Sequence, residues 1–388
     1  MIYAKALKIK DELIKIRRDL HQIPEIGFDV YETAEYIERV LDKLNVEHYR
    51  LVDTGVIGII KGKNDDKTLL IRADVDALPI TELNDVNYKS KNVGKMHACG
   101  HDAHITCLIG ACMILKEMAL NLNGNIKLVF QPGEEGFGGA EPIINEGVMK
   151  NPDVTCAIAL HVEPLASVGT LQIRNGAIMA SPDEFSVVIN GVGGHGACPE
   201  DCNNPIIPAA KLISKLNTIV KDNFSDESEC VVSVCAINAG NSTNIIPGFV
   251  EIKGTARSLS EYVRLKIEKI IESYVNEVCD EFDCTSIYDF KRLYPPVIND
   301  KSINEMVISA SKKISGFNQI VNLEKSSMTG DDFSYFANLV PSSYFKLGVG
   351  NDEINNPLHN PRFNIDEDAL PLGAAIFAQF AIDYLNEE

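Results

Sequence analysis

No apolar run in the sequence is long enough to span a bilayer or to form a signal-peptide core, and Met1-Ile2-Tyr3-Ala4-Lys5 leads straight into charged residues. A cytoplasmic protein with no membrane partner is expected. No Lys/Arg run interrupts a formal charge of -19, which repels phosphate backbones and anionic surfaces and so argues against nucleic acid as a partner. None of the 10 cysteines stands in a C-x-x-C pair. Their irregular spacing fits buried or liganding thiols in a reducing compartment better than a disulfide framework. Internal repeats and low-complexity segments are missing too.

The composition, 45% hydrophobic and 23% charged, is that of an ordinary globular protein, and 388 residues exceed what one core usually serves, so two domains are expected. Histidine is scarce, yet of the 8 in the chain, three fall within Met96-His97-Ala98-Cys99-Gly100-His101-Asp102-Ala103-His104. Thiolate, imidazole and carboxylate are the ligand types that first-row divalent metals use. This stretch alone is too small to close a metal site, so further ligands must come from elsewhere.

Two amphipathic helices come first, on the stripes Leu13, Ile16, Leu20 and Ala34, Ile37, Leu41, Leu44. His21, between them, reads as a cap or packing residue. Val56 to Ile60 and Thr68 to Ile71 read as buried strands, and the second feeds Arg72-Ala73-Asp74-Val75-Asp76-Ala77-Leu78-Pro79. Two more apolar runs, Ile126 to Phe130 and Cys156 to Leu160, finish in Gln131-Pro132-Gly133-Glu134-Glu135 and in His161. Three predicted strands thus end in Asp, Glu-Glu and His, where open α/β sheets place their chemistry. Cys99, His101, Glu135, His161 and the loop histidine His359 give five candidate ligands, more than one tetrahedral ion needs and suited to two ions. Glu134, held off the metal, is the candidate general base.

From Glu184 to about Pro295 the elements read strand, helix, strand, strand, helix, strand, the ferredoxin-like order. The expected fold is therefore α/β: a catalytic domain of mixed sheet and helices (residues 1–181 and 296–388) interrupted by an α+β lid and dimerisation domain (182–295).

The runs Arg18-Asp19-Leu20-His21, Arg72 to Pro79, Met96 to His104, Phe130 to Gly136, Leu160-His161-Val162 and Pro357-Leu358-His359 closely resemble the amidohydrolase branch of the M20 metallopeptidase family. This branch holds hippurate hydrolases, N-acyl-amino-acid deacylases, auxin-conjugate hydrolases and N-acetyldiaminopimelate deacetylases. The resemblance implies that Cys99, His101, Glu135, His161 and His359 hold two divalent ions, Mn²⁺ or Zn²⁺, that Glu134 is the base, and that Asp74 and Asp76 orient the ligands. It implies a homodimer through the inserted domain, with His195 of Gly191-Val192-Gly193-Gly194-His195-Gly196-Ala197 reaching the partner's active site to stabilise an oxyanion. Asn244 and Arg257 resemble positions that hold the substrate carboxylate. The implied activity is hydrolysis of N-acyl amino acids. The alternatives are N-acetyldiaminopimelate deacetylation and a non-catalytic binding protein on the same fold.

Overall fold

The computed structural model describes residues 1–225 and 229–387. The chain divides into two compact units, one of Met1–Ile178, Ile298–Lys325 and Asp332–Glu388, the other of Met179–Val297 with Ser326–Asp331. The short segment Ser326–Asp331 joins the smaller unit by a parallel bridge from Ser327 to Met179, a pairing that no local sequence signal announces.

In the larger unit an eight-stranded sheet runs in the order Glu47–Leu51, Gly55–Ile60, Asn125–Gln131, Thr68–Asp74, Cys156–Ser167, Ser342–Gly350, Thr170–Ile173, Gln319–Asn322. The four central strands are parallel. Thr68–Asp74 and Asn125–Gln131 are buried at every position, as expected of parallel strands covered on both faces. The three short strands Glu47–Leu51, Thr170–Ile173 and Gln319–Asn322 escape sequence reading because they carry no long apolar run. One expectation needs correction. The strand beginning at Cys156 does not stop before His161 but continues to Ser167, because Ser342–Gly350 pairs alongside it past that point.

A second feature without sequence signal is the helix His101–Lys116, buried everywhere except Met113 and Lys116. With no polar face it has no amphipathic period to detect. It packs on Leu370–Asn386, and Gly110 permits the close approach, since a Cβ there would lie 2.7 Å from the Ala374 Cβ.

The smaller unit has a four-stranded antiparallel sheet in the order Cys230–Asn238, Phe249–Ser258, Ser181–Asn190, Thr285–Lys291, with helices Ile206–Asn223 and Glu261–Glu281 packed on it. This is the ferredoxin-like topology. Phe185, Val187, Ile189, Leu212, Ile252, Ile267 and Ile271 form its core. At one edge of that core Arg264 grips Asp183 with two hydrogen bonds, of 2.8 and 2.5 Å, while Leu293 N–H and the Ser181 hydroxyl complete the carboxylate. Removing one partner of a buried pair strands the other's charge. Asp183→Ala is expected to destabilise this unit by about 3–5 kcal/mol, read as a lower midpoint in chemical denaturation. An unchanged midpoint would refute the pair's role.

Candidate metal centre

Gly100 starts the site. Its φ of +86° turns the chain from Cys99 into the helix that opens with His101, and a Cβ would fall 2.3 Å from Val162 Cγ2. Only glycine fits that turn. The His101 ring donates from Nδ1 to the Asp76 carbonyl at 2.7 Å, which turns Nε2 inward, 3.6 Å from Asp74 Oδ2 and 3.9 Å from Glu135 Oε1.

Glu134 and Glu135 follow the strand Asn125–Gln131, and their backbone N–H groups donate to the two oxygens of Asp76 at 3.0 and 3.1 Å. His161 donates from Nδ1 to the Val162 carbonyl, so its Nε2 is turned to Cys99 Sγ at 3.4 Å. His359 takes a left-handed conformation, φ 62°, held by a 2.8 Å bond from its N–H to the Ala98 carbonyl, and its Nε2 lies 3.4 Å from Glu135 Oε1. A non-glycine residue in that region is strained, and such strain gathers at functional sites.

All five sequence-derived ligand candidates therefore converge. Their donor atoms form two groups, Cys99, His101, His161 and Cys99, Glu135, His359, each within 4.8 Å and sharing the cysteine. His101 Nε2 and Glu135 Oε1 are buried atoms with no hydrogen-bond partner, a cost that buried polar groups rarely bear without a ligand. Burial, then Glu135, Glu134 and Asp74, push the Cys99 thiol well up. Burial alone would lower His101, but Asp74, Asp76 and Glu135 raise it to about 10. The cluster thus carries surplus negative charge that a divalent cation would balance, and the residues present fit a pair of such ions.

Asp74 and Asp76 divide the support. Asp76 fixes the Glu134-Glu135 turn and the His101 ring, whereas Asp74 accepts from Arg72 and His104. Burial raises Asp74, but His101, Arg72 and His104 outweigh it and hold its carboxyl well below the usual range.

Sequence reading misses a buried polar cluster behind the His101 turn. Arg17 Nε donates to Asp102 at 2.9 Å, and His21 bridges Asp102 and Glu82 at 2.7 and 3.2 Å. A signal was available, because Arg17 falls on the same buried stripe as Leu13, Ile16 and Leu20. His21 is a packing residue in position, but one with both ring nitrogens on carboxylates.

In the smaller unit His195 pairs with Ile245 in a two-stranded ribbon, and the Asn244 carbonyl accepts Gly196 N–H at 2.8 Å, so His195 and Asn244 are neighbours on exposed backbone. Arg257 is not brought to them within the chain. It stands eight residues beyond Phe249 on the strand Phe249–Ser258, about 26 Å along an extended strand. Its guanidinium donates to the carbonyls of Asp183 and Ala256.

The sequence profile described as Peptidase family M20/M25/M40 matches residues 70–383. Thermostable carboxypeptidase 2 of Saccharolobus solfataricus is 36% identical over 98% of this chain and 97% of its own. IAA-amino acid hydrolase ILR1-like 2 of Arabidopsis thaliana is 35% identical over 100% of this chain and 88% of its own, and N-acetylcysteine deacetylase of Bacillus subtilis is 34% identical over 96% and 97%. Among solved structures, the Bacillus subtilis YXEP protein, a dinuclear metal binding peptidase from the M20 family, superposes with a TM-score of 0.87 at 31% identity, covering 97% of this chain and 99% of its own.

The His21 bridge has a pH signature. Burial and Arg17 lower His21, yet Asp102 and Glu82 lift it above its ordinary 6.5. A raised folded value means that the stabilisation is complete below 6.5 and is lost as pH climbs through the folded value. The stability deficit of His21→Gln against wild type, read from urea midpoints, is expected to be larger at pH 6 than at pH 9. An equal deficit at both would contradict it.

Proposed function

This chain belongs to peptidase family M20/M25/M40, and from that premise we propose that it is a metal-dependent hydrolase of N-acyl amino acids, releasing a carboxylic acid and the free amino acid. The carrying observation is the convergence of Cys99, His101, Glu135, His161 and His359 beside Glu134. Two divalent ions held by those five residues, manganese or zinc, would polarise the amide carbonyl and acidify the attacking water. Cys99, among the residues that would hold them, would make the site soft and open to oxidation.

The chain's own residues do the rest. Glu134 takes the proton from the attacking water and returns it to the leaving nitrogen, so one carboxylate serves both steps. Asp76 keeps Glu134 at hand through the backbone of its turn. His195, supplied across a homodimer formed by the inserted unit, donates to the developing oxyanion. Asn244 and Arg257 hold the carboxylate of the amino-acid half, a planar partner suited to a guanidinium. Because Arg257 and His195 stand far apart along one chain, the dimer reading gives each a way to serve a common substrate. A cytoplasmic location completes the reading.

An aromatic rim supports an apolar acyl group over the charged alternative, N-acetyldiaminopimelate. Phe137, two residues beyond Glu135, is 56% exposed and meets Phe28 edge-to-face with ring centroids 6.3 Å apart. Gly27 and Gly133 leave room for both rings. The carboxypeptidase relative acts, by its name, at a peptide's last bond, which is also an amide to a free amino acid, so one chemistry covers both.

Glu134→Gln is expected to lower kcat at least about 100-fold while the ion content stays at the wild-type level. A variant that keeps most of its turnover would remove Glu134 from the mechanism. Amine release should be assayed on N-acetyl, N-benzoyl and N-indolylacetyl amino acids, N-acetyldiaminopimelate and dipeptides, with Mn²⁺ or Zn²⁺. No release from any of them would favour the non-catalytic binding protein. Phe137→Ala should raise KM for N-benzoyl substrates more than for N-acetyl ones, and an equal change in both would dismiss the rim.

A further inference from the structure

His104 has no part in the ion ligation or the proton transfer proposed above, although it lies in the metal-rich stretch and its donor atoms group with Asp74 and His101. We propose that His104 is a positioning residue that sets the affinity of one ion position, that of Cys99, His101 and His161, and not the other. The proposal rests on the two-ion reading.

Both ring nitrogens of His104 are taken. Nδ1 lies 2.5 Å from Asp74 Oδ1, and Nε2 accepts the Val162 backbone N–H at 3.0 Å. A ring that accepts at Nε2 from a backbone amide and meets a carboxylate at Nδ1 carries its proton on Nδ1. No lone pair is left for a metal. Instead the ring lies between two ligands, 5.3 Å from the His101 ring and 4.7 Å from that of His161, centroid to centroid. One bond holds the residue next to His161, and the other holds the carboxylate 3.6 Å from His101 Nε2.

The far end of this chain of contacts is anchored. The second oxygen of Asp74 accepts from Arg72 Nη1 at 2.7 Å, while Arg72 also donates to Gln131 at 3.0 Å and to Asp332 at 2.8 Å. Asp332 in turn accepts from the Gln131 amide and from Ala140 N–H. Asp332, Arg72, Asp74, His104 and Val162 therefore tie two adjoining strands and the helix between them into one buried assembly. Glu135 and His359 are held by other means, the Asp76 carboxylate and the Ala98 carbonyl. Loss of His104 should loosen His101 and His161 and leave those two in place.

Two substitutions separate the two bonds. In His104→Asn the amide N–H stands in for Nδ1–H toward Asp74 but cannot reach Val162. In His104→Gln the longer amide offers an oxygen to Val162 N–H and gives up the donor to Asp74. Each purified protein, wild type included, would be titrated with Mn²⁺ and Zn²⁺ in metal buffers, with bound ions counted by mass spectrometry and folding checked by circular dichroism. Wild type should bind two ions. Each variant should keep one at wild-type affinity and bind the second about 10- to 100-fold more weakly, as loss of a residue supporting metal ligands does. Two ions at wild-type affinity in both variants, equal weakening of both ions, or failure of both variants to fold would each overturn the proposal. Fewer than two ions in the wild type would instead overturn the two-ion reading, so the two failures are distinct.

Discussion

The geometry of the centre depends on one residue that touches no candidate metal position directly. Asp76 receives the N–H groups of Glu134 and Glu135 on its two carboxylate oxygens and the Nδ1 proton of His101 on its carbonyl. Charge-assisted bonds of this kind are stronger than neutral ones. Three contacts from one residue thus decide which way Glu134, Glu135 and His101 face. They can do so because Asp76 is fully buried just past the end of a strand that is itself fully buried. Burial raises its pKa, and the bonds to its charged form offset that rise only in part.

Much of this was legible in the sequence wherever the signal was local. The ferredoxin-like unit could be read because each of its strands and helices buries one face and shows it as a period. The five convergent ligand candidates could be read because reactive side chains cluster against an otherwise histidine-poor background. What stayed hidden depends on separation or on burial all round. The helix His101–Lys116 has no polar face to reveal its period. Arg17 and Asp102 meet across 85 residues, and nothing in either neighbourhood announces the partner. His161 sits inside a strand rather than at its end because a strand about two hundred residues later lengthens the ladder. The spacing of Asp74 and Asp76 left their roles open, and only their hydrogen bonds tell them apart.

The same comparison explains the electrostatic character of the site. Cys99, Glu134, Glu135, Asp74 and Asp76 bring acidic groups together where water is largely excluded, and unpaired charges there are expensive. Arg72 answers Asp74, and Arg17 answers Asp102 on the far side of the same helical turn. Glu135 Oε1 and His101 Nε2, buried and without a hydrogen-bond partner, face the centre instead, and this division separates scaffold from centre.

The burial of the helix His101–Lys116 carries a consequence for how such a protein matures in the cell. Its first turn supplies a candidate ligand and the carboxylate that pairs with Arg17, while its remaining length is held by apolar packing. In small zinc domains the ion is the nucleus of folding, and the chain is unfolded without it. Here the helix is packed along its length by contacts that involve no candidate ligand. An ion held at the centre would then be chosen by what the folded protein meets in its surroundings, and supply rather than folding would govern its identity.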